Sequence, residues 1–64
     1  MPHKFILGQT VEFTPPRGVQ APPGIYVVTA KLAERDAEFE YYIKHTRESY
    51  ERIARENEIH EARR

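Results

Sequence analysis

Sixty-four residues allow one domain with a thin core, because a chain this short buries only about 60% of the surface its unfolded form exposes. Ten basic and ten acidic side chains cancel, which removes the global positive field that drives non-specific nucleic-acid binding. With no cysteine there is neither a disulfide framework nor a thiolate zinc site, and a reducing, cytoplasmic setting is the simplest expectation.

At the N-terminus, the apolar run Phe5-Ile6-Leu7 stops at Gly8, too soon for a signal sequence or a membrane span, so neither secretion nor a membrane partner is expected. Val11 and Phe13 then alternate with Thr10, Glu12 and Thr14, the period of a half-buried strand, until Pro15-Pro16 withdraws two backbone donors. Residues 15–24 hold four prolines and two glycines, a composition that fits a stiff loop and no ladder. The loop contains no Pro-x-x-Pro spacing, which argues for a connector rather than a polyproline ligand.

Ile25 to Leu32 is rich in β-branched and aromatic residues, and a strand here places Tyr26, Val28, Ala30 and Leu32 on one face. From Phe39 the alternation resumes, with Phe39, Tyr41 and Ile43 on one side and Glu40, Tyr42 and Lys44 on the other. A hairpin that sets Leu32 against Phe39, Ala30 against Tyr41 and Val28 against Ile43 satisfies the core face, and it brings Lys31 opposite Glu40 outside. The residues between include the polar break Glu34-Arg35-Asp36 and then Ala37. A tight turn would force an alanine to positive φ at a cost of about 1 kcal/mol, so a longer, looser loop is expected.

Residues 47–62 admit two readings. Glu48 with Arg52 and Glu51 with Arg55 stand four apart, as helix-supporting pairs do. At about 100° per residue, however, Tyr50, Ile53 and Ala54 share a side that Ile59 does not, and no capping box opens the segment. The strand reading is preferred: a strand over roughly residues 50–55, a turn, Ile59 folded back as a plug, and residues 60–64 as a frayed or briefly helical tail. Residues 1–64 then form one domain, with 1–4 and 60–64 as flexible ends.

The pattern Phe5-x-x-Gly8-x-x-Val11-x-Phe13, a Pro/Gly-rich loop, Tyr26-x-Val28, Glu38-Phe39-x-Tyr41-x-Ile43-Lys44 and Glu51-Arg52-x-x-x-Glu56-x-x-Ile59 resembles a group of small bacterial proteins whose function is not established. The resemblance spans nearly the whole chain. It implies a mainly β fold, a small Src-homology-3-like barrel of four to five antiparallel strands with a short C-terminal turn or helical tail, and it implies no activity. The chain departs from the pattern at Ala37, where glycine is usual, and in the tail from His60 to Arg64.

Chemistry is sparsely represented. His3, His45 and His60 are scattered without metal-ligand spacing, Ser49 is the sole serine and lacks a glycine elbow, and the glycines form no phosphate loop. The many carboxylates lie among arginines, as on a solvated face. No catalytic residue, metal or cofactor is assigned. The best candidate binding residues are Tyr42, Lys44, Arg47 and Arg52, a tyrosine among cations of the kind used in recognition and stacking surfaces. The plainer reading makes Tyr42 a cross-strand packing partner of Thr29.

Two functions of different class follow. The favoured one is a non-catalytic protein-interaction or assembly module, either a monomer or a weak homo-oligomer, offering an open sheet edge and the Pro-rich loop to a protein partner. The alternative, by analogy of fold, is weak RNA or DNA binding. An enzyme is the poorest reading, because so small a core leaves little room for a pocket of about 300 Å³ or more.

Overall fold

The computed structural model describes residues 4–62 and is a mainly β domain of five antiparallel strands with a single short 3-10 turn. The strands are β1 (Thr10–Phe13), β2 (Gly24–Lys31), β3 (Glu40–His45), β4 (Arg52–Arg55) and β5 (Ile59–Glu61), and the 3-10 turn is Glu56–Glu58. They form one sheet in the order β4-β3-β2-β1-β5. No described helix is long and apolar enough to cross a membrane.

The sheet must roll up. Laid flat, five strands would hold β4 and β5 about 19 Å apart at the usual spacing. A three-residue 3-10 turn joins these two edges in sequence, and such a turn spans only about 6 Å. Curling is the one way to reconcile the two lengths, so the architecture is a small barrel closed at its rim by the 3-10 turn.

Period-2 alternation decides what fills the interior. β1 contributes Val11 and Phe13, β2 Tyr26 and Val28, β3 Tyr41 and Ile43, β4 Ala54 and β5 Ile59, all buried. Phe5, from the segment before β1, completes the cluster. The aromatic rings meet edge to face: Phe5 on Tyr41 at 5.6 Å and Phe13 on Tyr26 at 5.1 Å between centroids, the arrangement their quadrupoles favour. Ile6 and Leu7, which share the opening apolar run with Phe5, are exposed.

The Pro-rich segment between β1 and β2 is a loop, as its composition predicts. Val19 donates its N–H to the Pro16 carbonyl at 3.1 Å, and Gly18 at φ 87° supplies the left-handed third position that a type II turn requires. The buried Tyr26 pins the far end of the loop through a 2.6 Å hydrogen bond from its hydroxyl to the Pro22 carbonyl.

Three expectations are corrected. The β2–β3 hairpin closes through a two-residue turn rather than a long loop: Arg35 and Glu38 exchange both backbone hydrogen bonds, at 2.7 and 2.9 Å, while Asp36 and Ala37 sit at φ 53° and 64°. Two left-handed residues match the twist of the flanking strands, and the hairpin forms despite the cost at Ala37. The β2–β3 register holds for Val28 with Ile43 and then slips by one at Thr29, so that Ala30 faces Tyr42 and Lys31 faces Tyr41. A β-bulge here moves Ala30 to the outer face and separates Lys31 from Glu40. Lastly, His60 and Glu61 are not a tail but part of β5, paired with Glu12 and Val11. Residues 63 and 64 of the expected tail lie outside the described residues, as does His3.

The strand expected at residues 50–55 is present but starts at Arg52. Ile59 is buried as the expected plug. It enters from the 3-10 turn, where Glu58 accepts the Arg55 N–H through its side chain at 2.9 Å and the Thr14 N–H through its carbonyl at 3.0 Å.

Candidate functional site

Tyr42 and Lys44 alternate with the buried Tyr41 and Ile43, so both project from the outer face of the sheet. Tyr42 lies between Ala30 of β2 and Ile53 of β4, and Lys44 lies opposite Val27. Residues facing one another across strands share a face, which makes Ala30, Tyr42 and Ile53 a short apolar strip running out to the sheet edge. At its end, Ile53 is 55% exposed. Thr29, in the bulge, donates its hydroxyl to the Tyr42 carbonyl at 3.3 Å. Thr29 therefore meets the backbone of Tyr42, while the cross-strand neighbours of Tyr42 are Ala30 and Ile53.

Arg52 belongs to a different place. It pairs with Ile43 and is two residues from the buried Ala54, so it faces inward at one rim of the barrel, on the side of the sheet opposite Tyr42 and Lys44. Glu48 grips it with two bonds, Nε to Oε1 at 3.0 Å and Nη2 to Oε2 at 2.8 Å. The Tyr50 hydroxyl adds contacts to Arg52 Nη2 and Glu48 Oε2, both at 3.1 Å, and the guanidinium lies 5.1 Å from the centre of the Tyr50 ring. A bidentate, ring-backed arginine of this kind is held in one geometry. The hydrogen bonds donated by Arg52 keep the Glu48 carboxyl below its ordinary range, and the same bonds push the guanidinium further above its own.

Beneath that pair lies Tyr26, which stacks edge-on against His45 at 5.0 Å. Burial, and then the nearby Glu48 charge, push its phenol upward. Arg47 is exposed in the β3–β4 turn, where its N–H donates to His45 Nδ1 at 3.0 Å. Of the four candidate residues, then, Tyr42 and Lys44 share a surface, Arg47 stands on the adjoining turn, and Arg52 is committed to Glu48 on the other side of the sheet.

The Glu48–Arg52 pair explains a misleading signal. Spacing of four suggests a helix, yet the two residues meet across a turn leading into a strand. Glu51 and Arg55 have the same spacing, but Arg55 Nε instead binds Glu38 Oε1 at 3.1 Å. Ile53, the most exposed member of the outer strip, is not among the four candidate residues, although alternation along the strand expected at residues 50–55 already sets it on the face opposite Ala54.

A cleft of about 260 Å³ is lined by Lys4, Phe5, Gln9, Ile59, His60 and Glu61, below the range of about 300–1,000 Å³ typical of small-molecule sites. Its lining includes one carboxylate, Glu61, and one imidazole, His60, both on exposed positions. Among the described residues, no group of three or more His, Cys, Asp or Glu side chains could hold a metal ion. Comparison with known proteins finds no matching family model, no matching curated protein and no matching solved structure.

Proposed function

We propose that this domain is a non-catalytic interaction or assembly module that presents the outer face of β3 and β4 to another polypeptide chain. The observation that carries the reading is the exposure of Ile53 at the end of the Ala30–Tyr42–Ile53 strip, where a small protein places an aliphatic side chain in water beside an open sheet edge. The bulge at Thr29 supports it, since it turns Ala30 outward to lengthen the apolar strip. A cytoplasmic setting accompanies the proposal, supported by the cysteine-free sequence.

A photoreactive amino acid at position 53 tests this in living cells of the source organism. The expected result is a discrete cross-linked protein adduct from position 53 and none from position 34, an exposed site before the β2–β3 turn. Equal, diffuse labelling at both positions would count against the module.

Nucleic-acid binding is the second reading, supported by Tyr42 beside Lys44 on one face and by the exposed Arg47. It loses Arg52, whose guanidinium is engaged by Glu48. Titration with mixed single-stranded oligonucleotides at low salt should then give shifts at Tyr42 and Lys44 that fade as salt rises. Unchanged spectra at low salt dispose of this reading.

A further inference from the structure

Resting on the assembly reading above, we infer that the partner of the β4 edge is a second copy of this chain, paired antiparallel about a two-fold axis through Ile53. β4 is the terminal strand of the sheet, and the direction of its backbone groups follows from the ladder. The Glu56 N–H donates to the Phe39 carbonyl at 3.0 Å, in line with Tyr41 opposite Ala54 and Ile43 opposite Arg52. Antiparallel alternation then assigns residues 52, 54 and 56 to β3 and turns the N–H and C=O of Ile53 and Arg55 toward the open edge. The Arg55 N–H confirms that direction, because its acceptor is the Glu58 carboxylate beyond the strand. Among the described residues, the edge is thus covered at Arg55 and bare at Ile53.

The side chains select the register. With the axis at Ile53, Ile53 faces the partner's Ile53, and Glu51 faces the partner's Arg55 on both sides of the axis. These three positions lie on the outer face, so an apolar centre is flanked by two opposite-charge pairs. The inner face sets Arg52 against the partner's Ala54, a small residue that leaves the Glu48 clamp undisturbed.

Neighbouring registers do worse. Moving the axis to Ala54 sets Ile53 against the partner's Arg55, and moving it to Arg52 sets two arginines against each other. Arg55 already gives Nε to Glu38, and a guanidinium with five donors accommodates a second carboxylate. Pairing passes the Arg55 N–H from the Glu58 side chain to the carbonyl of the partner's Glu51, so the edge exchanges an internal cap for an intermolecular bond.

Sedimentation of the full chain from micromolar to millimolar concentration tests the inference. The expected result is a reversible shift from the 7.5 kDa chain to a species of twice that mass, with Ile53→Lys weakening association by about tenfold or more through a like-charge pair at the axis. Because Ile53 is exposed, its replacement leaves the circular dichroism spectrum unchanged.

Cross-linking checks the register. Ile53→Cys places two thiols on residues whose Cα atoms lie about 5.5 Å apart, within disulfide reach, so mild oxidation gives a covalent dimer. Glu51→Cys, facing the partner's position 55, gives little.

Strictly monomeric behaviour at millimolar concentration would overturn self-pairing. So would dimerisation indifferent to Ile53→Lys, or disulfide yields equal at 51 and 53. A monomer whose position 53 cross-links to a different protein in cells would discard the homodimer and retain the broader module, so the two failures are separable.

Discussion

The Tyr41 hydroxyl donates to the Glu56 carboxylate, joining β3 to the 3-10 turn that closes the barrel. Both partners also hold the N-terminal segment: the Lys4 N–H reaches Glu56 Oε2 at 2.8 Å and the Tyr41 oxygen at 3.0 Å, and the Phe5 N–H reaches the same oxygen at 3.3 Å. One phenol and one carboxylate thereby fix three segments that are far apart in sequence, and they hold Phe5 in the core against the Tyr41 ring.

Tyr41→Phe keeps the ring and removes the hydroxyl, taking the acceptor from the Phe5 N–H and one contact each from the Glu56 carboxylate and the Lys4 N–H, which remain bonded to one another. Loss of about 1–3 kcal/mol of stability is expected in urea unfolding, the cost of stranding part-buried polar groups. Glu56→Gln should cost less, because an amide carbonyl still accepts from the phenol.

Stability should fall at both ends of the pH range for different reasons. Burial raises the phenols of Tyr26 and Tyr41 above the ordinary value of 10.0, with the Glu56 hydrogen bond adding to the effect at Tyr41. The folded state holds these protons more tightly than the unfolded state, so their contribution is complete below about pH 10 and lost as pH rises through the folded values. Glu48 behaves oppositely: its carboxyl lies below the ordinary 4.5 because of Arg52. Its contribution is present above that pH and lost as pH falls through the lowered value. Unfolding midpoints from pH 2 to 11 should show both limbs, with Glu48→Gln flattening the acid limb and, because the Glu48 charge also helps raise the Tyr26 phenol, weakening the alkaline limb to a smaller extent.

Ala37→Gly should stabilise the domain by up to about 0.5 kcal/mol, since glycine occupies φ 64° without the strain a Cβ carries there and loses part of that gain to chain entropy. Ala37→Val should destabilise it, a β-branched side chain being worse still at positive φ. Thermal unfolding of the two variants measures both effects.

Ile43 and Ile53 stand on neighbouring strands and opposite faces. Ile43 is fully buried and Ile53 is 55% exposed. Ile43→Ala should cost about 2–5 kcal/mol by emptying the core. Ile53→Ala should remain within about 0.5 kcal/mol at concentrations where the chain is monomeric. Similar losses at both sites would mean that the β4 face assignment is wrong.

The strands around Val11, Tyr26 and Ile43 were legible because alternation over four or more residues marks which face is buried. The turn at Asp36-Ala37 was misread for an energetic reason: local strain at one alanine is smaller than the combined gain from pairing β2 with β3 and burying Tyr41, and only the assembled sheet supplies that gain. Among the candidates Tyr42, Lys44, Arg47 and Arg52, the last parts from the other three for a geometric one. Sequence proximity does not reveal the phase of β4 relative to β3, and that phase sends Arg52 inward to Glu48.

By itself the sequence determined the strand-forming segments, the stiff Pro-rich connector and most of the buried side chains, because period and composition act over a few residues at a time. Tertiary structure alone decided the bulge at Thr29, the incorporation of His60 and Glu61 as β5, and the emergence of Ile53 at a bare edge. Each depends on which strand lies alongside which, and that is settled by closing the sheet around a shared core.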